Sequence, residues 1–400
     1  MIAPIEPQLT PKSSKLQSIL DDVLAMYTRD DADSLKGNTI YSGSAGCRTF
    51  DSSSDNSFEL DSILWIASIS KLFTAVSCLI TVEKGLMTLD TNALDVIPEF
   101  SNLQHLTGFE ETVDGNRVPK LEKVSGPITL LSHSSGLVYS QHHPGLREWA
   151  QYTGKIDHPF SGSYNGLFAP TIYPAGKGWA YGTGMDWAGR MVEIVSGLPL
   201  EDFMRENIWS KLGMYSTTFR PELRPEFAAR RVSVAIRNSQ DNSLQQGSVP
   251  FANPTIDYSG GAGLYSSTED CAKLIAALMA GGGDIISSQS VDELMSPQLE
   301  TNKYFLDVIR GPGKRHLGQT WPDDVKGTFG LSSSICLEDF PGRRAARSCN
   351  WSGMPGLHIW MDRASGIGAM LATQVLPPGD AIVTQCLLKL EKALYKSLLG

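Results

Sequence analysis

Trp65-Ile66-Ala67-Ser68-Ile69-Ser70-Lys71-Leu72-Phe73-Thr74-Ala75 places a serine and a lysine three positions apart at the head of an apolar segment. Ile69, Leu72, Phe73, Val76, Leu79 and Ile80 recur at helical spacing, so residues 68–84 read as one long helix ending at Gly85. Residues 58–66, just before it, read as a strand, paired across a polar turn at 51–56 with a second strand at 39–45. Ser68 and Lys71 therefore stand on one face of the first helical turn, directly after a strand.

That position carries chemistry. A serine hydroxyl becomes a nucleophile when an adjacent base takes its proton, and a desolvated neutral lysine is such a base. The N-terminus of the helix offers free N–H groups and a positive potential, which favour an oxyanion and a neutral amine. By spacing alone, the same four residues equally suit Ser68 as a helix cap with Lys71 in solvent. The G-x-S-x-G elbow is absent from the chain.

Two further segments attract attention. Pro174-Ala175-Gly176-Lys177-Gly178-Trp179-Ala180-Tyr181-Gly182-Thr183-Gly184 is a glycine-bounded loop leading into a helix. Its Tyr181 is placed either for packing or to relay a proton to a leaving group. Asn350-Trp351-Ser352-Gly353-Met354-Pro355-Gly356 leads into an apolar strand. Such a strand edge either carries a bulge or lends an N–H to an oxyanion hole, with the N–H of Ser68 as the other donor.

Around these segments the pattern alternates by region. Apolar residues at helical spacing fill 16–26, and the middle of the chain reads as helices and long loops, clearest at 187–196 and 200–212. From about residue 258 the chain gives Gly260-Gly261-Ala262-Gly263-Leu264, a helix at 268–280, strands at 330–337, 357–361 and 367–374, and a last helix at 380–399. Strand material at both ends with a helical middle implies an α/β domain (1–75 and 258–400) split by a mostly helical insertion (76–257).

Composition bounds the function. The chain has 400 residues with 41% hydrophobic and 19% charged, which is ordinary for a globular protein. Thirty-four basic against 43 acidic residues leave a net charge of −9, a poor match for nucleic acid or an anionic membrane. The opening 17 residues hold no apolar signal core, and no apolar run is long enough to span a bilayer. The six scattered cysteines form no C-x-x-C pair. These features lead us to expect free thiols and a cytoplasmic location. The seven histidines form no zinc pattern, so neither a metal nor another cofactor is expected.

The three segments, in this order, resemble the superfamily of serine β-lactamases, penicillin-binding proteins and family VIII esterases. The likeness spans nearly the whole chain. Ile128-Thr129-Leu130-Leu131-Ser132-His133-Ser134-Ser135-Gly136-Leu137 and residues 260–267 add to it. Within the superfamily the chain is most similar to fungal polyketide transesterases and statin-ester hydrolases, through Trp179-Ala180-Tyr181-Gly182, Asp186-Trp187-Ala188-Gly189 and His143-Pro144-Gly145-Leu146-Arg147-Glu148. The resemblance implies Ser68 as nucleophile, Lys71 as general base and Tyr181 as second acid/base. It also implies an oxyanion hole from the N–H groups of Ser68 and Met354. The implied fold is α/β (α+β): an antiparallel sheet flanked by helices, with a large inserted helical domain and the site between them.

The departures from that superfamily point to substrate. Trp351-Ser352-Gly353 stands where penicillin-recognising members carry a lysine-led triplet, and Thr183 replaces an asparagine. Both favour esters over lactams. Trp351, Ser352, Gly353, Thr183, Tyr173 and Trp179 are therefore the expected substrate contacts, with Trp149, Tyr152, Phe160, Tyr164 and Phe168 as further candidates for an apolar pocket. Residues 28–36 are polar where relatives place an apolar first strand. The expected activity is cleavage of a carboxylic ester of a small hydrophobic, polyketide-like molecule through an acyl-enzyme. The alternative is acyl transfer to an acceptor alcohol, with an acyl carrier as a possible donor. A β-lactamase or D-Ala-D-Ala peptidase, or a non-catalytic binding protein, is the weaker reading.

Overall fold

The computed structural model describes residues 41–51, 56–124 and 126–399. The helix expected over 16–26, the polar stretch 28–36 and the start of the strand expected at 39–45 lie outside them. The first strand described, β1, is Leu64–Trp65. It runs into a 3₁₀ turn, Ala67–Ile69, and then the helix Ser70–Glu83. Every residue from Ser70 to Thr81 is buried, so this helix is the axis of the molecule, not one wall of it.

The middle of the chain holds more strand than its helical periodicity suggests. β2 (Gln104–Glu111) and β3 (Arg117–Lys123) form an antiparallel hairpin. The Asp114-Gly115 pair at its tip, with Gly115 at φ 77°, is an ordinary hairpin turn signal inside a segment otherwise read as loop. β4 (Ala235–Arg237) and β5 (Leu244–Gln246) pair with each other. β6 (Tyr265–Ser266) pairs antiparallel with β1, setting Tyr265 opposite Trp65.

The main sheet follows: β7 (Gly327–Phe329), β8 (Ser334–Cys336), β9 (Cys349–Gly353), β10 (Leu357–Asp362) and β11 (Ile367–Leu371), antiparallel in the order β11-β10-β9-β8-β7. The strand expected at 330–337 is thus a turn followed by β8, with β7 ending just before it. Gly330 N–H donates to Ser333 O (2.8 Å), and Ser332 takes φ 96°. Likewise 367–374 ends early at Leu371, and β12 (Val375–Leu376) leaves the main sheet to pair in parallel with β4. Residues 41–45 form no strand, and of 58–66 only Leu64–Trp65 does, because Leu60 and Asp61 make a turn. The expected boundary at residue 75 falls inside the helix Ser70–Glu83.

Helices cover the sheet. Thr268–Met279 packs on β11, and the axial helix packs along Gly184–Ser196. The C-terminal helix Ala381–Leu399 is pinned by charge. Its buried Glu391 meets the guanidinium groups of Arg343 and Arg344, each at 2.6 Å, and its Tyr395 hydroxyl donates to Asp362 at the end of β10 (2.9 Å). One carboxylate thus pairs with two buried cations. Glu391→Ala leaves both unpaired and is expected to cost about 3–5 kcal/mol, read as a lowered urea midpoint, whereas Lys303→Ala, which breaks an exposed pair with Asp307, is expected to leave the urea midpoint where it is.

Candidate active site

The site begins with a distorted turn. Ala67, immediately before Ser68, adopts φ 46°, a left-handed conformation that costs a non-glycine residue roughly 1–2 kcal/mol. Ser70 holds it: its hydroxyl donates to Ala67 O (2.6 Å) and accepts from Leu264 N–H (3.1 Å). Ser70 is fully buried and engaged on both sides, while Ser68 is half-exposed. Of the two serines in this turn, Ser68 is the one a substrate can reach.

Lys71 lies one turn on and is fully buried. Its Nζ is 3.4 Å from Ser68 Oγ, 3.2 Å from the Tyr139 hydroxyl and 2.7 Å from Gly261 O. The ring of Tyr181 lies 4.7 Å from Nζ, and its hydroxyl donates to Ser68 Oγ at 2.5 Å. Serine, lysine and tyrosine, dispersed over 113 positions, thus converge on one hydroxyl.

The glycines around Tyr181 set its position. The loop lies directly on the backbone of the 128–139 segment, and a Cβ on Gly182 would fall 1.9 Å from Leu137 O. Behind Tyr181 stands His133, with ring centroids 4.9 Å apart, and Trp351 packs on the other side at 5.3 Å. His133 is fully buried, and its Nδ1 accepts from Gly182 N–H (3.4 Å). Burial first, and the charge of Lys71 second, hold its pKa well below the usual histidine range, so it serves as a neutral wedge.

A second layer escaped the sequence reading. Tyr139 donates its hydroxyl proton to Asp186 Oδ2 (3.2 Å). Asp186, in the first turn of Gly184–Ser196, is fully buried and accepts from Gly261 N–H (3.0 Å) and from the Ser259 hydroxyl. Burial raises its pKa, while Lys71 and these hydrogen bonds pull the other way. Burial also raises Tyr139, with Asp186 adding to it, so the phenol keeps its proton. Tyr139 follows the Ser134-Ser135-Gly136-Leu137-Val138 stretch, but nothing in its local spacing marks it.

The remaining expected contacts divide. Trp351, Ser352 and Gly353 lie along β9, and Met354 heads the turn to β10, its side chain against the cluster of Ile63, Trp65 and Ala67. This brings the Met354 peptide beside the segment that carries Ser68. Trp351 shares with Ser68, Leu72 and Asn350 the lining of a small cavity. Phe160 lies between Tyr139 and Phe251. Tyr173, half-buried, donates to His133 O (3.2 Å). Trp179 is buried against Phe305 and Phe329, and Thr183 is buried at the head of its helix. Trp149 and Tyr164 are packed in the core, and Tyr152 points outward. Phe168 packs on the core as well.

The close approach at Gly182 has a testable consequence. Gly182→Ala must move the Tyr181 loop away from Leu137. A displacement near 1 Å at a reacting group costs about 100-fold in rate, so activity should fall by that order. A melting-temperature measurement should show a stability loss of only about 1–3 kcal/mol.

Comparison with known proteins bears on the family and the fold. The family model described as Beta-lactamase matches residues 32–386. The chain is 31% identical over 373 residues to the ML-236A carboxylate methylbutanoyltransferase of Penicillium citrinum, covering 91% of this chain and 88% of that protein. It is 30% identical over 356 residues to the lovastatin esterase of Penicillium rubens, covering 86% and 88%. Simvastatin synthase from Aspergillus terreus, unliganded, superposes with a TM-score of 0.85 at 28% identity, covering 98% of this chain and all of that one. The family model over residues 32–386 and relatives at 30–31% identity over nearly the whole chain place it in the beta-lactamase family.

Proposed function

We propose that the chain cleaves a carboxylic ester of a small hydrophobic, polyketide-like molecule through an acyl-enzyme on Ser68. The observation that carries this reading is the pair of contacts on Ser68 Oγ: the Lys71 amine on one side and the Tyr181 hydroxyl on the other. Tyr181 donates to Ser68, so the serine's own proton is free to go to Lys71. As Oγ bonds to the ester carbonyl carbon, that proton passes to Nζ and the carbonyl electrons move onto oxygen. The N–H groups of Ser68 and Met354 hold the resulting oxyanion. Collapse of the intermediate breaks the bond to the alcohol oxygen. Tyr181 protonates that oxygen and recovers a proton from the Lys71 ammonium. Water, entering by the same route in reverse, releases the acid.

The lining supports an apolar acyl group. Trp351 occupies the strand where a carboxylate-binding cation would be needed for a lactam, and Phe160, Tyr139 and Met354 are further apolar or aromatic neighbours. A second reading is acyl transfer, in which an acceptor alcohol replaces water and an acyl carrier supplies the donor thioester. It is favoured by the methylbutanoyl transfer named for the Penicillium citrinum relative. We place the protein in the cytoplasm: all six cysteines are free, and among the described residues no helix is long and apolar enough to cross a membrane.

The test is turnover of p-nitrophenyl butyrate by the wild type and by Ser68→Ala, with intact-mass analysis of both. The wild type should turn over and carry a butyryl adduct. Ser68→Ala should lose the adduct and about 10⁴-fold or more in kcat. Equal rates in the two proteins would exclude Ser68. Adding a candidate acceptor alcohol separates the two readings: a new ester marks transfer, and free acid alone marks hydrolysis.

A further inference from the structure

Lys71 Nζ has three polar neighbours, and their hydrogen-bonding roles are unequal. Gly261 O, at 2.7 Å, can only accept. The Tyr139 hydroxyl, at 3.2 Å, already donates its O–H to Asp186 Oδ2, so it too faces Lys71 as an acceptor. Ser68 Oγ, at 3.4 Å, is the third. A neutral primary amine has two N–H bonds and one lone pair. The two fixed acceptors claim the two N–H bonds, and the only direction left for the lone pair is toward Ser68.

We propose that Asp186 and Tyr139 are positioning residues for this reaction: by accepting the Tyr139 hydroxyl hydrogen bond, Asp186 turns the phenol oxygen toward Lys71 as an acceptor and thereby aims the Lys71 lone pair at the Ser68 hydroxyl. The inference deepens the Ser68 reading above and rests on it. Neither side chain exchanges a proton with substrate. When Lys71 receives the Ser68 proton, its new N–H bond lies on the Ser68 and Tyr181 side, where Tyr181 takes the proton over, and the other two bonds are undisturbed.

The surroundings of Asp186 are built to keep this polarity. Its other oxygen accepts from Gly261 N–H and the Ser259 hydroxyl, so the carboxylate has donors on both sides and none of them is charged. Gly261 itself admits the approach, since a Cβ there would lie 2.4 Å from Asp186 Oδ2. That glycine also presents its carbonyl to Lys71. The first turn of Gly184–Ser196 adds the favourable end of a helix dipole to the carboxylate.

Two near-isosteric substitutions separate aiming from mere packing. Asp186→Asn puts an amide donor against Tyr139, which turns the phenol proton toward Lys71 and blocks its lone pair. Tyr139→Phe removes the acceptor altogether. The measurement is the pre-steady-state burst of p-nitrophenolate from p-nitrophenyl butyrate, with KM, melting temperature and intact mass for each protein. Each variant should acylate about 100-fold more slowly, at the lower end of what a general base contributes, with KM and melting temperature close to wild type. The double variant should be no slower than Tyr139→Phe, because without the phenol Asp186 has nothing to orient. Singles at the wild-type burst rate, or losses that multiply in the double variant, would overturn the proposal. If Asp186→Asn fails to fold, Tyr139→Phe decides by itself on the same readouts. A wild type that forms no adduct on Ser68 would overturn the nucleophile assignment and this inference together.

Discussion

A primary amine with no solvent exposure is the constraint around which this molecule is arranged. The amine becomes an ammonium when it takes the Ser68 proton, and a buried ammonium without partners costs several kcal/mol, so Lys71 must be met by oxygen on every side. The chain supplies those oxygens from three distant places: Ser68 one turn back, Tyr139 from the segment after His133, and Gly261 from the glycine-rich stretch before β6. The axial helix fixes the amine, the β1–β6 pairing fixes Gly261, and the Tyr181 loop seals the top. Each of these elements is needed for the lysine to be where it is.

The same economy explains where the chain tolerates strain and close contact. Ala67 is held in a left-handed turn by the buried Ser70 hydroxyl, and this lifts Ser68 out of the core toward substrate. Gly182 and Gly261 let backbone approach backbone or carboxylate at distances no side chain would allow. Aromatic rings then fill what remains. His133 packs edge to face and Trp351 tilted against Tyr181, Phe329 packs edge to face on Trp351 behind them, and burial keeps His133 uncharged. A charged imidazole there would repel Lys71.

Far from the site, the sheet carries its own charge cluster. Glu391 joins the C-terminal helix to Arg343 and Arg344, and Tyr395 joins it to Asp362. The helix therefore docks in one register, which backs β9 and β10 and steadies the Trp351–Met354 edge. The β9 edge and the Ser68 turn meet only because both are packed from behind.

The sequence by itself determined the elements whose signal is local. The apolar stripe after Ser68 made the axial helix legible, the i, i+3 spacing put Ser68 and Lys71 on one face, and the glycines around Tyr181 marked a tight loop. Apolar runs gave β10 and the C-terminal helix within a residue or so. What was not legible depended on partners distant in the chain. The β2–β3 hairpin was hidden because its outer face is polar on both strands, so only Asp114-Gly115 betrayed it. That 330–337 opens with a turn between β7 and β8 depended on Ser332 entering the left-handed region, which composition does not announce. Tyr139 and Asp186 looked like ordinary helix-flanking residues, 47 positions apart. Only the tertiary structure decided that they share a hydrogen bond beside a buried lysine, because the direction of a lone pair is set by where its two fixed acceptors stand in space and not by any spacing along the chain.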